Sequence, residues 1–294
     1  MSTAPGATKA PLTQVRPGHA DLAGMQKYGF TDARDVLERA SARETAARVV
    51  AGALAKRLLS HLGIEILSHV IQMGDARVGA DAPRPTPDDL ATVDESEVRC
   101  FDPEGTERMV AAIKAAAKQG DSLGGVVEVL GFGVPVGLGS HVHWDRKIDA
   151  MLAQALMSIQ AVKGVEIGDG FEVAGRLGSD AHDAIRWESD RYTRPSTLAG
   201  GVEGRMTNGA PVVARAAMKP LATLNRPTLE TVDTETKQSG VSFKERTDVT
   251  AVPAMGVVAE TMVALVLAQE AQRKFGGDSV GEFVRNAAAF EASL

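Results

Sequence analysis

The sequence predicts an α/β (α+β) fold built as one large domain, and three observations carry that prediction. Stretches with apolar residues at helical spacing alternate along the chain with shorter β-branched runs. A length of 294 residues is ordinary for a single large α/β unit. Aromatic residues are only 4% of a chain that is 44% hydrophobic, so the core must be built from Ala, Val, Leu, Ile and Met.

Taken in order, residues 1–13 (MSTAPGATKAPLT) lack the apolar centre of a secretory signal and read as a flexible tail ahead of a domain spanning 14–294. Arg16-Pro17-Gly18-His19 then forms a defined turn, because proline fixes φ and glycine frees it. His19 on that turn reads equally as a packing or capping histidine and as a titrating functional one. Residues 31–61 read as one helix, capped by Thr31 or Asp32, with Leu37, Ala40, Ala47, Ala51, Leu54 and Leu58 as its core stripe. Glu44 and Arg48 are spaced to pair. Arg39 and Arg43 share a face, either solvated beside Glu38 and Glu44 or facing an anion.

Residues 62–74 read as a strand. Residues 75–103 form a Pro- and Asp-rich excursion, and Asp102-Pro103 opens a helix over 104–118 that turns Met109, Val110, Ile113 and Ala117 inward. A long glycine-laced strand follows, VVEVLGFGVPVGLGS, with His141 and His143 on one strand face. No third ligand accompanies those histidines, so no metal site is predicted. Residues 145–162 are helical, with Ile148, Leu152, Ala155, Leu156 and Ile159 inward. Residues 170–211 are a polar, glycine-rich loop, where Gly200, Gly201 and Gly204 suit either a mobile surface or backbone approach to a planar ligand. Residues 212–220 are a strand that delivers Lys219 to its end. Arg246 and Asp248 precede a long apolar helix, 253–274, and a last helix covers 278–292.

A net charge of −6 argues against general nucleic-acid binding. The single cysteine, Cys100, excludes a disulfide framework within one chain. No uninterrupted run of 18 apolar residues predicts a membrane span. These features suit a cytoplasmic protein.

The motifs RPGHAD, KYGF, RASARETAARVVAG, GDSLGGVVEVLGFGVPVGLGS, QAVKGVEIGDGF, GGVEGRMTNG, AAMKPLATL, ERTDV and KFGGDS, in that order over residues 11 to 290, resemble the chorismate synthases, in a version similar to those of actinobacteria. The resemblance implies a β-α-β sandwich with helices between sheets, assembled as a homotetramer. It implies the last shikimate-pathway step, a 1,4-elimination of phosphate from 5-enolpyruvylshikimate 3-phosphate that needs reduced FMN without net oxidation. By the same resemblance His19 acts near N1 and O2 of the flavin, and Asp248 works with N5 in removing the ring proton. Arg39, Ala40, Ser41, Gln160, Ala161, Gly204, Arg246 and the run Lys219, Pro220, Leu221, Ala222 and Thr223 correspond to the family's flavin contacts.

The chain departs from the family pattern in four places. It is expected to be N-terminally truncated, because the family's Gly-Glu-Ser-His-Gly segment and the arginine-rich stretch after it have no counterpart here. The histidine of that segment protonates the departing phosphate in the family, a contribution of about 10²–10⁴ in rate for general acid catalysis. The family's Thr-Asn-Arg-Ala-Gly-Gly reads Ser196-Thr197-Leu198-Ala199-Gly200-Gly201, and a usual glycine is replaced by Arg205. A non-catalytic FMN-binding paralogue that assembles with a complete enzyme is the alternative this leaves.

Overall fold

The computed structural model describes residues 10–40, 42–79, 81–243 and 247–294. The chain opens with α1 (Asp21–Tyr28), α2 (Arg34–Ala40) and α3 (Arg43–Ser60). It continues through β1 (Glu65–Met73), β2 (Ala76–Arg77), α4 (Leu90–Glu95), α5 (Pro103–Gln119), β3 (Gly125–Phe132), α6 (Ile148–Met157) and β4 (Val162–Ile167). Three short ribbons, β5 (Arg186–Glu188) with β6 (Arg191–Thr193), β7 (Val202–Glu203) with β8 (Met206–Thr207), and β10 (Glu230–Val232) with β11 (Ser239–Val241), flank the longer β9 (Val212–Met218). Helices α7 (Val252–Phe275) and α8 (Val280–Glu291) close the chain.

The architecture is a five-stranded sheet, ordered β2-β1-β3-β9-β4, with every neighbouring pair antiparallel. Period-two alternation divides its side chains between two faces. Val70, Val127, Val129, Ala214 and Ala216 face the helices and join the main core. The opposite face carries a small apolar cluster, Leu67, Leu130 and Val213, and beside it a polar row. In that row the strand register sets His69 opposite Glu128, Glu128 opposite Arg215, and Arg215 opposite Glu166.

Helix α7 is the axis of the helical layer. It is apolar and long enough to cross a membrane by composition alone, yet 67% of that stretch is buried inside the protein. It also carries two buried carboxylates. Glu260 accepts from Lys56 Nζ at 2.7 Å, Arg99 at 3.0 Å and Ser68 Oγ at 2.7 Å. Glu270 pairs with Arg146 and Arg273, each at 2.7 Å. Buried charge persists only where such partners replace water.

Several expectations are corrected. The predicted helix over 31–61 is two helices, and its buried side is different. Gly52, Ala55 and Leu59 are buried, whereas Ala47 and Ala51 are exposed and Leu54 is 71% exposed. The cause is a close crossing: a Cβ on Gly52 would stand 2.1 Å from Thr261 Cβ of α7, so the glycine sets which face can approach. On α5 the buried position is Ala116 rather than Ala117. The long strand predicted after Gly125 ends at Phe132, where Gly133 takes φ +66° against the Gly63 carbonyl. His141 and His143 therefore lie exposed in a loop instead of sharing a strand face. Leu12 and Thr13, read as tail, are tied down, Leu12 N donating to Asp32 at 3.0 Å and Thr13 Oγ1 to Asp233 at 2.5 Å. Gly200 and Gly201 make room for neighbouring backbone at Gly168 and Pro211.

Candidate active site

The turn Arg16–His19 is held from within by one carboxylate. Asp21, fully buried in the first turn of α1, accepts from Arg16 Nε at 2.8 Å and from the Arg16 backbone N–H at 3.1 Å. His19 Nδ1 lies 2.5 Å from its other oxygen. Burial raises the Asp21 carboxyl, but the hydrogen bonds from His19 and Arg16 outweigh it and hold the group well below the usual carboxylate range. A carboxylate this close requires a proton on Nδ1, which leaves Nε2 as the nitrogen able to accept or release one.

The turn rests on the end of β9. Gly18, at φ +73°, brings its carbonyl to 2.5 Å from Lys219 Nζ, and the space beyond its Cα is closed by Lys219 and by Ala222 Cβ. Lys219 N in turn donates to the Ala161 carbonyl at 3.0 Å. Two residues further on, the Leu221 carbonyl accepts from Ser122 Oγ at 2.8 Å. The adjacent Leu123 N donates to the Val249 carbonyl at 2.7 Å, which places the exposed Asp248 beside the same run.

Ala161 leads to the third group. Gln160 Nε2 donates to Glu44, whose Oε1 accepts from Arg48 Nε at 2.8 Å. Arg48 also reaches Ser158 Oγ, at 2.8 Å, just past α6. The Arg48 hydrogen bond, followed by that of Gln160, holds the Glu44 carboxyl below its ordinary value. A groove of about 620 Å³ opens here, lined by Arg39, Arg43, Glu44, Arg48, Met262 and Leu265 among others. Gln160 Oε1 is buried without a hydrogen-bond partner.

Hydrogen bonds from Lys219 to Gly18 and Ala161, and contacts of Ser122 and Leu123 with Leu221 and Val249, thus set the chain neighbours of His19, Gln160 and Asp248 around the Lys219–Thr223 run, with Arg39 lining the groove at Glu44. Gly204 stands apart. Its β7–β8 turn meets the start of α6, where Ile148 N donates to the Arg205 carbonyl at 3.1 Å, while Gln160 follows the end of that helix. Ten residues of helix separate them by about 15 Å. Arg205 holds φ +72° and pairs with Asp149. Ser41 and Arg246 lie outside the described residues. Asp21 and Ser122 were not singled out from sequence. Asp21 had a readable signal, an acid two residues after a histidine on a rigid turn; Ser122 had none, because its partner is distant in the chain. Among the described residues no group of three or more His, Cys, Asp or Glu is placed to hold a metal ion.

The fold and site define an α/β protein with a histidine paired to a buried aspartate on a turn against the end of β9, and an arginine-lined groove along α3. The chorismate synthase family model matches residues 6–271. The chain is 61% identical over 289 residues to the chorismate synthase of Thermobifida fusca strain YX, covering 98% of this chain and 73% of that protein. It is 58% identical over 292 residues to that of Streptomyces coelicolor, covering 98% and 73%. A crystal structure of chorismate synthase superposes with a TM-score of 0.80 at 43% identity, over 94% of this chain and 76% of that one. The chain belongs to the chorismate synthase family, lyases of the shikimate pathway. The non-catalytic alternative finds no support in these matches.

Proposed function

We propose that this chain uses reduced FMN to convert 5-enolpyruvylshikimate 3-phosphate into chorismate, with the linked residues above as its flavin-side machinery. The observation that carries the reading is that Gly18, Ala161 and the Ser122–Leu123 pair tie the segments bearing His19, Gln160 and Asp248 to the single run Lys219–Thr223. The residues fit the cofactor: Gln160 Oε1 is an acceptor awaiting a donor, and the neighbouring guanidinium groups suit a phosphate. The reaction breaks one C–O bond, releasing phosphate, and removes one ring proton, so its electrons balance without an external oxidant. Bound reduced flavin lends electron density transiently to that bond breaking.

The residues do the rest. His19, its Nδ1 committed to Asp21, presents Nε2 at the N1 and O2 side of the flavin. Asp248 serves the proton removal at the N5 side. Arg39, Ala40 and Ser41, with Gln160, Ala161, Arg246 and the run Lys219, Pro220, Leu221, Ala222 and Thr223, hold the ring and its phosphate, and the family's remaining contact, Gly204, lies at the other end of α6 from Gln160. The reading extends to a single domain over 14–294, a cytoplasmic homo-oligomer, tetrameric in the family pattern, and no nucleic-acid or membrane partner. Anaerobic incubation of the chain with the enolpyruvyl substrate and dithionite-reduced FMN tests it. Chorismate, followed by its absorbance, is the expected product, and no chorismate above the enzyme-free rate would overturn the reading.

A further inference from the structure

Gln160 has two chemically different ends, and the fold decides which of them is free. Its amide nitrogen donates to Glu44, and an ionised carboxylate can only accept. Glu44 is itself immobilised, both Nε and a terminal nitrogen of Arg48 standing 2.8 Å from Oε1. Arg48 is anchored from its other side by Ser158 Oγ. Turning the Gln160 amide over would set its carbonyl against the Glu44 carboxylate, an acceptor against an acceptor. Oε1 must therefore point away, and there it is buried with no donor. A buried acceptor left unpaired costs about 1–3 kcal/mol, which a ligand's N–H or O–H would recover.

We propose that Glu44 is a positioning residue that locks the Gln160 amide so that the site presents an obligate hydrogen-bond acceptor to an N–H of its bound ligand. In the flavin reading, on which this inference rests, that group is a ring N–H of the isoalloxazine. The N3 position carries hydrogen in both oxidation states, whereas N5 carries it only when reduced. Arg39 and Arg43, the latter paired with Glu38, line the groove at Glu44, the residue that holds the Gln160 amide, and their charge suits the ligand's anionic part while the locked amide adds orientation.

The test is equilibrium FMN binding, oxidised and dithionite-reduced, read by flavin absorbance and fluorescence. Glu44→Gln removes the reason for one amide orientation and is expected to weaken binding about tenfold or more, the size of one misdirected buried hydrogen bond. The exchange Glu44→Gln with Gln160→Glu restores a donor–acceptor pair with an acceptor oxygen facing outward. It is expected to recover most of the affinity and the bound-flavin spectrum, which a merely structural loss would not do. Gln160→Met keeps the side chain's bulk, removes the acceptor without depending on Glu44, and should weaken binding to a similar degree. Unchanged affinity in Glu44→Gln, or no recovery in a folded exchange variant, or unchanged affinity in Gln160→Met, would overturn the proposal. Failure of the unsubstituted chain to bind FMN in either oxidation state would instead sink the flavin reading itself, and this inference with it.

Discussion

Asp21 matters because it acts on His19 in two ways. It sets which ring nitrogen carries the proton, and it closes the turn that presents the ring. Asp21→Asn keeps the shape but offers an amide whose N–H₂ end competes with Nδ1–H and with Arg16. Turnover is expected to fall by about tenfold to a hundredfold, in line with losing the partner that orients a functional histidine. Stopped-time chorismate assays across pH 6–9 check this, and full turnover in Asp21→Asn would refute it. His19→Ala should cost more, about 10²–10⁴ if the imidazole handles a proton, with substrate KM little changed. At this scale the sequence was legible where partners are neighbours: Pro17 and Gly18 announced the turn, and the Glu44–Arg48 spacing announced its pair. It was silent on Gln160 meeting Glu44, because 116 positions separate them in the chain.

Helices and strands show where patterning misleads. Helix α3 carries two apolar stripes, and the sequence reading took Ala47, Ala51, Leu54 and Leu58, of which Leu58 packs against the core. Tertiary packing chose Gly52, Ala55 and Leu59, because only a glycine admits Thr261 at that crossing. Gly52→Ala should therefore destabilise the protein by about 1–3 kcal/mol through overpacking, despite alanine's better helix propensity. Urea unfolding measures it, and Thr261→Ala in the same chain should return part of the loss. The β7–β8 turn gives an opposite expectation. Arg205 holds a left-handed conformation that costs about 1–2 kcal/mol, offset by an exposed pair to Asp149 worth about 0–1 kcal/mol. Arg205→Gly should be neutral to about 1 kcal/mol more stable in the same experiment. The β-strand 62–74 and helices α5, α7 and α8 were readable to within a few residues, since each is long and strongly patterned.

For the whole molecule, acid stability follows from the open face of the sheet. Burial raises the Glu128 carboxyl, but hydrogen bonds from His69 and Arg84 and the charges of Arg84 and Arg215 bring it down to about 2, from an ordinary 4.5. A depressed carboxylate contributes stability that is fully present above the unfolded value and is lost as pH falls through the folded one. Stability should thus decline between pH 4.5 and about 2. In Glu128→Gln the decline over this window should be shallower, from a lower starting stability, when followed by circular dichroism. The sheet order itself could not be read from sequence. β9 lies between β3 and β4, and nothing local in its run of Val and Ala residues says so.

The row His69–Glu128–Arg215–Glu166 has a consequence for how the chain avoids assembling wrongly. Each of four strands contributes one titratable or charged side chain to that line, and each neighbour along it is of complementary type. Slide any strand by one position and its member enters the apolar layer beneath the helices; slide it by two and the member meets an apolar residue or a glycine on the same face. The charges therefore favour the observed register over shifted ones that the near-interchangeable Val and Ala residues around them would tolerate.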